Sequence, residues 1–215
     1  MSEYREHEIT LASFAQIDRE IGEHHFTPAE YAIARRVVHT TADFEFKHLI
    51  RFAHSPVAAA TCSLQQGGPI VVDVSMVAAG IRGVASKTWR PPVVTAIKQV
   101  SLTDQIKTNQ IETQQPQTRS AAGMRQCMHR YPSAIVAIGN APTALLSLCE
   151  DIVDKRANPA LVIGAPVGFI NVVESKRMLQ SLNVPYIVIE GRKGGSAVAA
   201  AIVNALMIWT WQQKG

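Results

Sequence analysis

Residues 134–146 read Ala-Ile-Val-Ala-Ile-Gly-Asn-Ala-Pro-Thr-Ala-Leu-Leu. The apolar run Ala134 to Ile138 has the composition of a strand buried on both faces. Gly139-Asn140-Ala141-Pro142-Thr143 then turns the chain, and a helical pattern continues through Leu145, Leu148 and Ile152. Proline suits the first turn of a helix, where an N–H has no partner to lose. The same order returns twice downstream. Leu161 to Ile163 leads through Gly164-Ala165-Pro166-Val167-Gly168-Phe169 to a helix that Asn171 is expected to cap, with Glu174 at its third position. Tyr186 to Ile189 leads through Gly191-Arg192-Lys193-Gly194-Gly195-Ser196 to an alanine-rich helix from about Ala197 to Trp209. Strands alternating with helices predict a parallel sheet covered on both faces. In such sheets ligands collect at the carboxyl ends of the strands, where the three turns must lie.

Upstream, helix signals come before strand signals. Thr27-Pro28-Ala29-Glu30 supplies an N-cap, a proline at the first helical position and a glutamate three after the cap. A helix from about Pro28 to His39 follows, with Tyr31, Ala34, Val37 and Val38 on its apolar side. Leu11, Phe14, Ile17 and Ile21 repeat at helical spacing and place Ser13 near the start of an earlier helix. A third begins at Ser55-Pro56, with serine as the cap, and stops at Gly67-Gly68. Pro69 to Val74 reads as a buried strand. Residues 81–118 are polar and less patterned, with a strand expected over Val93 to Ile97 and a helix over Thr103 to Glu112. No linker interrupts the pattern, so 1–215 reads as one domain.

The 215 residues are 47% hydrophobic and 18% charged, enough apolar material for a core and too much for a disordered chain. Apolar stretches such as Ala197 to Val203 are far shorter than the ~20 residues that cross a bilayer. The polar start, MSEYREHEIT, lacks the pattern of a secretory signal, so a cytoplasmic location is expected. Cys62, Cys127 and Cys149 are odd in number and widely spaced, which fits reduced thiols. The net charge of +4 comes from 21 basic and 17 acidic residues, scattered rather than clustered. With aromatics at 6%, this argues against nucleic acid as the partner.

Glycine turns that feed helix N-termini present backbone N–H groups and the positive end of the helix dipole, which favour anions. None of the three is a nucleotide fingerprint. His39 ends a helix, where the dipole favours imidazolium, and Asp43 or a threonine hydroxyl could fix its tautomer; it is a candidate general acid. Arg36 lies three residues earlier on the same helix face. The plainer alternative is a histidine that merely complements the dipole. Arg119, at a helix start in Thr118-Arg119-Ser120, could clamp a carboxylate, although a solvated surface arginine is commoner. Glu45 and His48 form a single E-x-x-H, more consistent with an exposed face than a metal site, and His24-His25 precede a helix cap. No metal motif, G-x-S-x-G elbow or flanked cysteine occurs. Trp209 and Trp211 suit core or interface.

Taken together, Ser13-Phe14, Arg36-Val37-Val38-His39, Gly68 to Asp73, Met76-Val77, Gly80-Ile81, Thr118 to Ala122, IGNAPTALL (138–146), IGAPVGF (163–169), ESK (174–176) and GRKGGSAVAAAIVNAL (191–206) closely resemble the precorrin-8X methylmutase family of cobalamin biosynthesis. The resemblance runs in order along nearly the whole chain. It implies a three-layer α/β/α fold with a mainly parallel central sheet, a homodimer with active sites near the subunit interface, and an isomerisation without cofactor. In that reaction a methyl group migrates at ring C of a corrinoid, giving hydrogenobyrinate or cobyrinate. The resemblance makes His39 the acid that protonates the macrocycle. It places Ser13, Arg36 and Arg119 at the substrate; Thr40, beside His39, and Gly139, Asn140, Gly168, Gly191 and Gly194, in the three turns, are the further candidate substrate-binding residues. A corrinoid carrier without catalysis and a phosphate-binding α/β enzyme are the competing readings. The first would tolerate loss of His39, and the second would respond to nucleotides rather than corrinoids.

Overall fold

The computed structural model describes residues 4–100 and 118–214. Its centre is a sheet of six strands, β1 (Ile50–Ala53), β2 (Ile70–Val72), β3 (Val93–Thr95), β4 (Ile135–Ile138), β5 (Leu161–Gly164) and β6 (Tyr186–Ile189), in the order β1-β6-β5-β4-β2-β3. All pairings are parallel except β1 with β6. The side-chain alternation of the strands divides the core in two. Ile135 and Ala137 of β4 enter one apolar cluster, and Val136 and Ile138 enter the other. The first cluster is closed by α1 (Glu8–Glu20), α2 (Pro28–Thr41), α3 (Phe46–Leu49), α4 (Pro56–Gln65), α5 (Ser75–Ala85) and α9 (Ser196–Gln212). The second is closed by α6 (Arg119–Arg130), α7 (Pro142–Val153) and α8 (Val172–Gln180). With both faces covered, the strands need no polar side, which explains their unbroken apolar sequences. The fold is a three-layer α/β/α with a mainly parallel sheet.

Local chemistry starts several of these elements where the sequence places them. Glu30 N–H reaches the Thr27 hydroxyl, and the Glu30 carboxylate accepts the Thr27 N–H at 2.9 Å, closing the capping box of α2. Thr118 caps α6 by accepting the Ala121 N–H at 3.2 Å. Two expected caps do not form. Ser55 and Asn171 stand in the left-handed region, with φ of 55° and 58°, and neither side chain bonds a first-turn N–H. A capping side chain needs an extended backbone at its own residue to reach back over the first turn.

Two elements escape the sequence pattern. β1 is the short edge strand Ile-Arg-Phe-Ala, whose antiparallel pairing on β6 depends on a partner more than 130 residues away. The helix α5 contains Gly80 and Gly83, each costing about 1 kcal/mol against alanine in a helix interior. Gly80 is required by packing, because a Cβ there would come within 2.8 Å of the Ala200 side chain on α9. The strand expected over Val93 to Ile97 ends at Thr95, where a 3-10 turn of Ala96–Lys98 takes over. The helix expected over Thr103 to Glu112 lies outside the described residues.

Candidate active site at the carboxyl edge

Because β4, β5 and β6 are parallel, the turns that follow them open on one edge of the sheet. The antiparallel β1 starts at Ile50 opposite Ile189, the last residue of β6, so the segment joining α2 to β1 arrives at that same edge. It brings His39, in the last turn of α2, together with Asp43 and Glu45. At the opposite flank, Arg119 Nη2 donates to the Ile97 carbonyl just beyond β3, at 3.2 Å. Arg119 Nε is buried without a hydrogen-bond partner among the described residues. From β6 to β3 there are four strand spacings, roughly 19 Å. That width exceeds the reach of a single small anion.

His39 stands edge-on to the Phe14 ring, with centroids 5.3 Å apart. The Arg35 and Arg36 guanidiniums lie 4.4 and 5.3 Å from the same ring, so α1 offers an aromatic platform around which two cations and an imidazole gather. Ser13 adjoins Phe14 on α1 and is half-buried. Arg36 is ion-paired with Glu6, and both side chains are largely buried. The groups expected to orient the imidazole are engaged elsewhere. Asp43 accepts from Lys193 Nζ at 2.6 Å, Thr40 Oγ1 donates to the Arg36 carbonyl at 2.8 Å, and Thr41 Oγ1 donates to the Val37 carbonyl at 2.9 Å. The sequence places these groups close to His39 but does not reveal that each has a nearer partner.

The first glycine turn is closed by a side chain the sequence reading left out. Asp73, fully buried at the carboxyl end of β2, accepts the N–H groups of Gly139, Asn140 and Ala141 at 3.1, 2.7 and 2.9 Å. These amides are therefore not free donors for an incoming anion. Burial pushes the Asp73 carboxyl above its ordinary value, against the opposing pull of the amides. Gly139 itself is needed for packing, since a Cβ would lie 2.7 Å from Ser196 Cα.

The second and third turns are bound to each other. Gly195 N–H donates to the Ala165 carbonyl at 2.8 Å, and Gly168 N–H to the Arg192 carbonyl at 3.3 Å. Gly194, at φ 154°, leaves no room for a side chain because a Cβ would meet the Ala165 carbonyl oxygen at 2.4 Å. Gly191, at φ 70°, faces open space. Lys193 is neutralised by Asp43 and Glu45, at 2.6 and 2.7 Å, so it ties the third turn to the end of α2 rather than standing free for a ligand. Glu45 and His48 are exposed, as expected. Around the turns stand exposed apolar residues that sequence reasoning did not single out: Met76 (73% exposed), Phe169 (81%) and Ile170 (77%). The Arg192 guanidinium lies 5.6 Å from the Phe169 ring. Among the described residues no group of three potential metal ligands occurs, and no helix is long and apolar enough to cross a membrane.

Beneath the third turn lies Lys176, only 1% exposed. Burial pulls its ammonium down from the ordinary 10.5 to about 8. The folded protein thus releases this proton at lower pH than the unfolded chain does. Stability contributed by this group therefore rises as pH increases through about 8 toward 10.5. Thermal melts across that range are expected to show the rise in wild type and its absence in Lys176→Met; identical slopes would refute the assignment.

Fold and edge together define an α/β protein that gathers aromatic, cationic and titratable groups at the carboxyl ends of parallel strands, over a span suited to a large anionic ligand. The family model of precorrin-8X methylmutase matches residues 8–209. The cobalt-precorrin-8 methylmutase of Synechocystis sp. is 48% identical, with 97% of this chain and 98% of that protein covered. The precorrin-8X methylmutase of Sinorhizobium sp. is 36% identical, with 90% of each covered. The crystal structure of precorrin-8x methyl mutase from Thermus thermophilus superposes with a TM-score of 0.86 at 39% identity, over 95% of this chain and 96% of that one. The chain belongs to the precorrin-8X methylmutase family, and its activity is that of an isomerase.

Proposed function

We propose that this protein moves a methyl group at ring C of precorrin-8X or cobalt-precorrin-8, giving hydrogenobyrinate or cobyrinate in cobalamin biosynthesis, with His39 as the acid that protonates the macrocycle. The observation that carries this reading is the grouping of His39, Arg36 and Phe14 at the carboxyl edge. In the rearrangement one carbon–methyl bond breaks and another forms within the same molecule, so no oxidant or reductant is consumed. A proton delivered to the macrocycle interrupts its conjugation and lowers the barrier to migration, and it is returned afterwards. The protein's remaining task is to hold the ring in place. Met76, Phe169 and Ile170 offer apolar surface for the ring. Ser13, Arg36, Thr40, Arg119, Gly168, Gly191 and Gly194 serve its carboxylate rim, with Arg119 Nε, which has no partner among the described residues, as one donor. Gly139 shapes the turn, and Asn140 contributes through its exposed side chain, since its N–H belongs to Asp73. The working unit is the single domain 1–215 as a cytoplasmic homodimer, with no cofactor, metal, nucleic acid or membrane partner.

The test is turnover of both corrinoid forms by purified protein, followed by an absorption change at constant product mass. Conversion of neither form would overturn the proposal. Glu6 adds a sharper expectation. Its carboxylate occupies the guanidinium that a substrate carboxylate must engage, so the two compete. Glu6→Gln is expected to lower KM by up to about fivefold with kcat unchanged, because a neutral amide competes for the guanidinium less strongly than a carboxylate does. A raised KM would instead make Glu6 a support for Arg36.

A further inference from the structure

The third turn is held from below by a residue the reaction above does not use. Lys176 on α8 donates from Nζ to the Gly191 carbonyl at 2.8 Å and to the Lys193 carbonyl at 2.7 Å. The carbonyl between them, on Arg192, accepts the Gly168 N–H at 3.3 Å. Three consecutive carbonyls are thus fixed, which sets the backbone from which the Arg192 and Lys193 side chains depart. Lys193 in turn grips Asp43 and Glu45, in the segment that follows α2, four and six residues after His39. Among the described residues Lys176 has these two carbonyls for hydrogen-bond partners and forms no ion pair. Burying a cation without a counter-ion opposes stability, and an apolar side chain of similar length would fill the same space at lower cost. Its presence under the edge is better explained by what it orders than by what it stabilises.

We infer that Lys176 is a positioning residue for the methylmutase reaction: it sets the third turn so that Lys193 holds the end of α2, and with it His39, against the substrate. This rests on the function proposed above. In turnover assays on the full chain, Lys176→Met is expected to lower kcat about 10- to 100-fold, the scale of a misplaced catalytic group, while KM changes less than threefold and the melting temperature does not fall. Lys193→Met, at the exposed end of the same chain of contacts, is expected to lower kcat in the same direction. The double variant is expected to be no slower, within twofold, than the slower single variant, because both substitutions break one link. Lys176→Gln provides a second probe with a neutral donor and is expected to fall between wild type and Lys176→Met. A kcat within twofold of wild type in folded Lys176→Met overturns the inference, as do effects that multiply in the double variant. Failure of both Lys176 variants to fold also overturns it, since the residue would then belong to the core and not to the site. A wild type without turnover overturns the methylmutase function itself, whereas an active wild type beside an unaffected Lys176→Met overturns only the role of Lys176.

Discussion

His39→Ala is expected to lower kcat by about 10²- to 10⁴-fold, the usual contribution of a positioned acid, while the affinity for the corrinoid product stays within a few-fold of wild type. The split follows from the geometry. The imidazole rests edge-on against Phe14 and lies at the end of α2, so its removal leaves the turns, Arg119 and the apolar surface of Phe169 and Ile170 in place for binding. Phe14→Leu is a useful companion, because it keeps the acid and removes the aromatic platform that fixes the ring; its kcat is expected to fall by a smaller factor than that of His39→Ala. Spectrophotometric turnover and product titration on the three proteins decide the matter. Full turnover by His39→Ala would remove the acid from the mechanism and leave a corrinoid-binding protein as the better reading.

The parallel half of the fold was legible because each unit there is signalled locally: an apolar β-branched run, a glycine turn, and a helix, with proline near its start in the first unit and alanine in the third. The edge strand β1 was not, since four residues including Arg51 satisfy no pattern until β6 is beside them. The helix α5 was hidden by Gly80, whose value lies in a contact with α9 and not in its own helix. The site divides in the same way. His39, Arg36 and Arg119 are chemical types that announce themselves at helix ends, whereas their partners are distant in sequence. Lys193 meets Asp43 across 150 positions, and Asp73 meets Asn140 across 67. Proximity along the chain suggested Asp43 as the orienter of His39, but a stronger, oppositely charged partner arriving from the third turn takes it. The positive charge read from composition is also less free than it seemed. Arg36 and Lys193 are paired within the protein, whereas Arg119 and Arg192 form no ion pair among the described residues, so a carboxylate rim can meet them without displacing a described carboxylate.

Asp73→Ala is expected to be the most destabilising substitution at the edge, by about 3 to 5 kcal/mol, because it strands several buried donors at once. In wild type one carboxylate oxygen takes the Gly139 N–H and the other takes both Asn140 and Ala141. Those amides lie at the start of α7, where the helix has no carbonyls of its own to offer, and Gly139 and Ala141 are buried. A loss of that size corresponds to a fall in melting temperature of roughly 10 °C for a domain near 200 residues. Asp73→Asn separates shape from acceptor count. Whichever way the amide is turned, its NH2 group faces at least one N–H, so this variant is also expected to melt below wild type, though less far than Asp73→Ala. Thermal denaturation of the three proteins checks the order. An alanine variant as stable as wild type would mean that the first turn does not depend on Asp73. The catalytic readout then follows from the same geometry: the turn that Asp73 holds lies one strand from the second turn and two from the third, so folded Asp73→Asn is expected to raise KM more than it lowers kcat, because it loosens a wall of the binding edge and leaves His39 on α2 untouched.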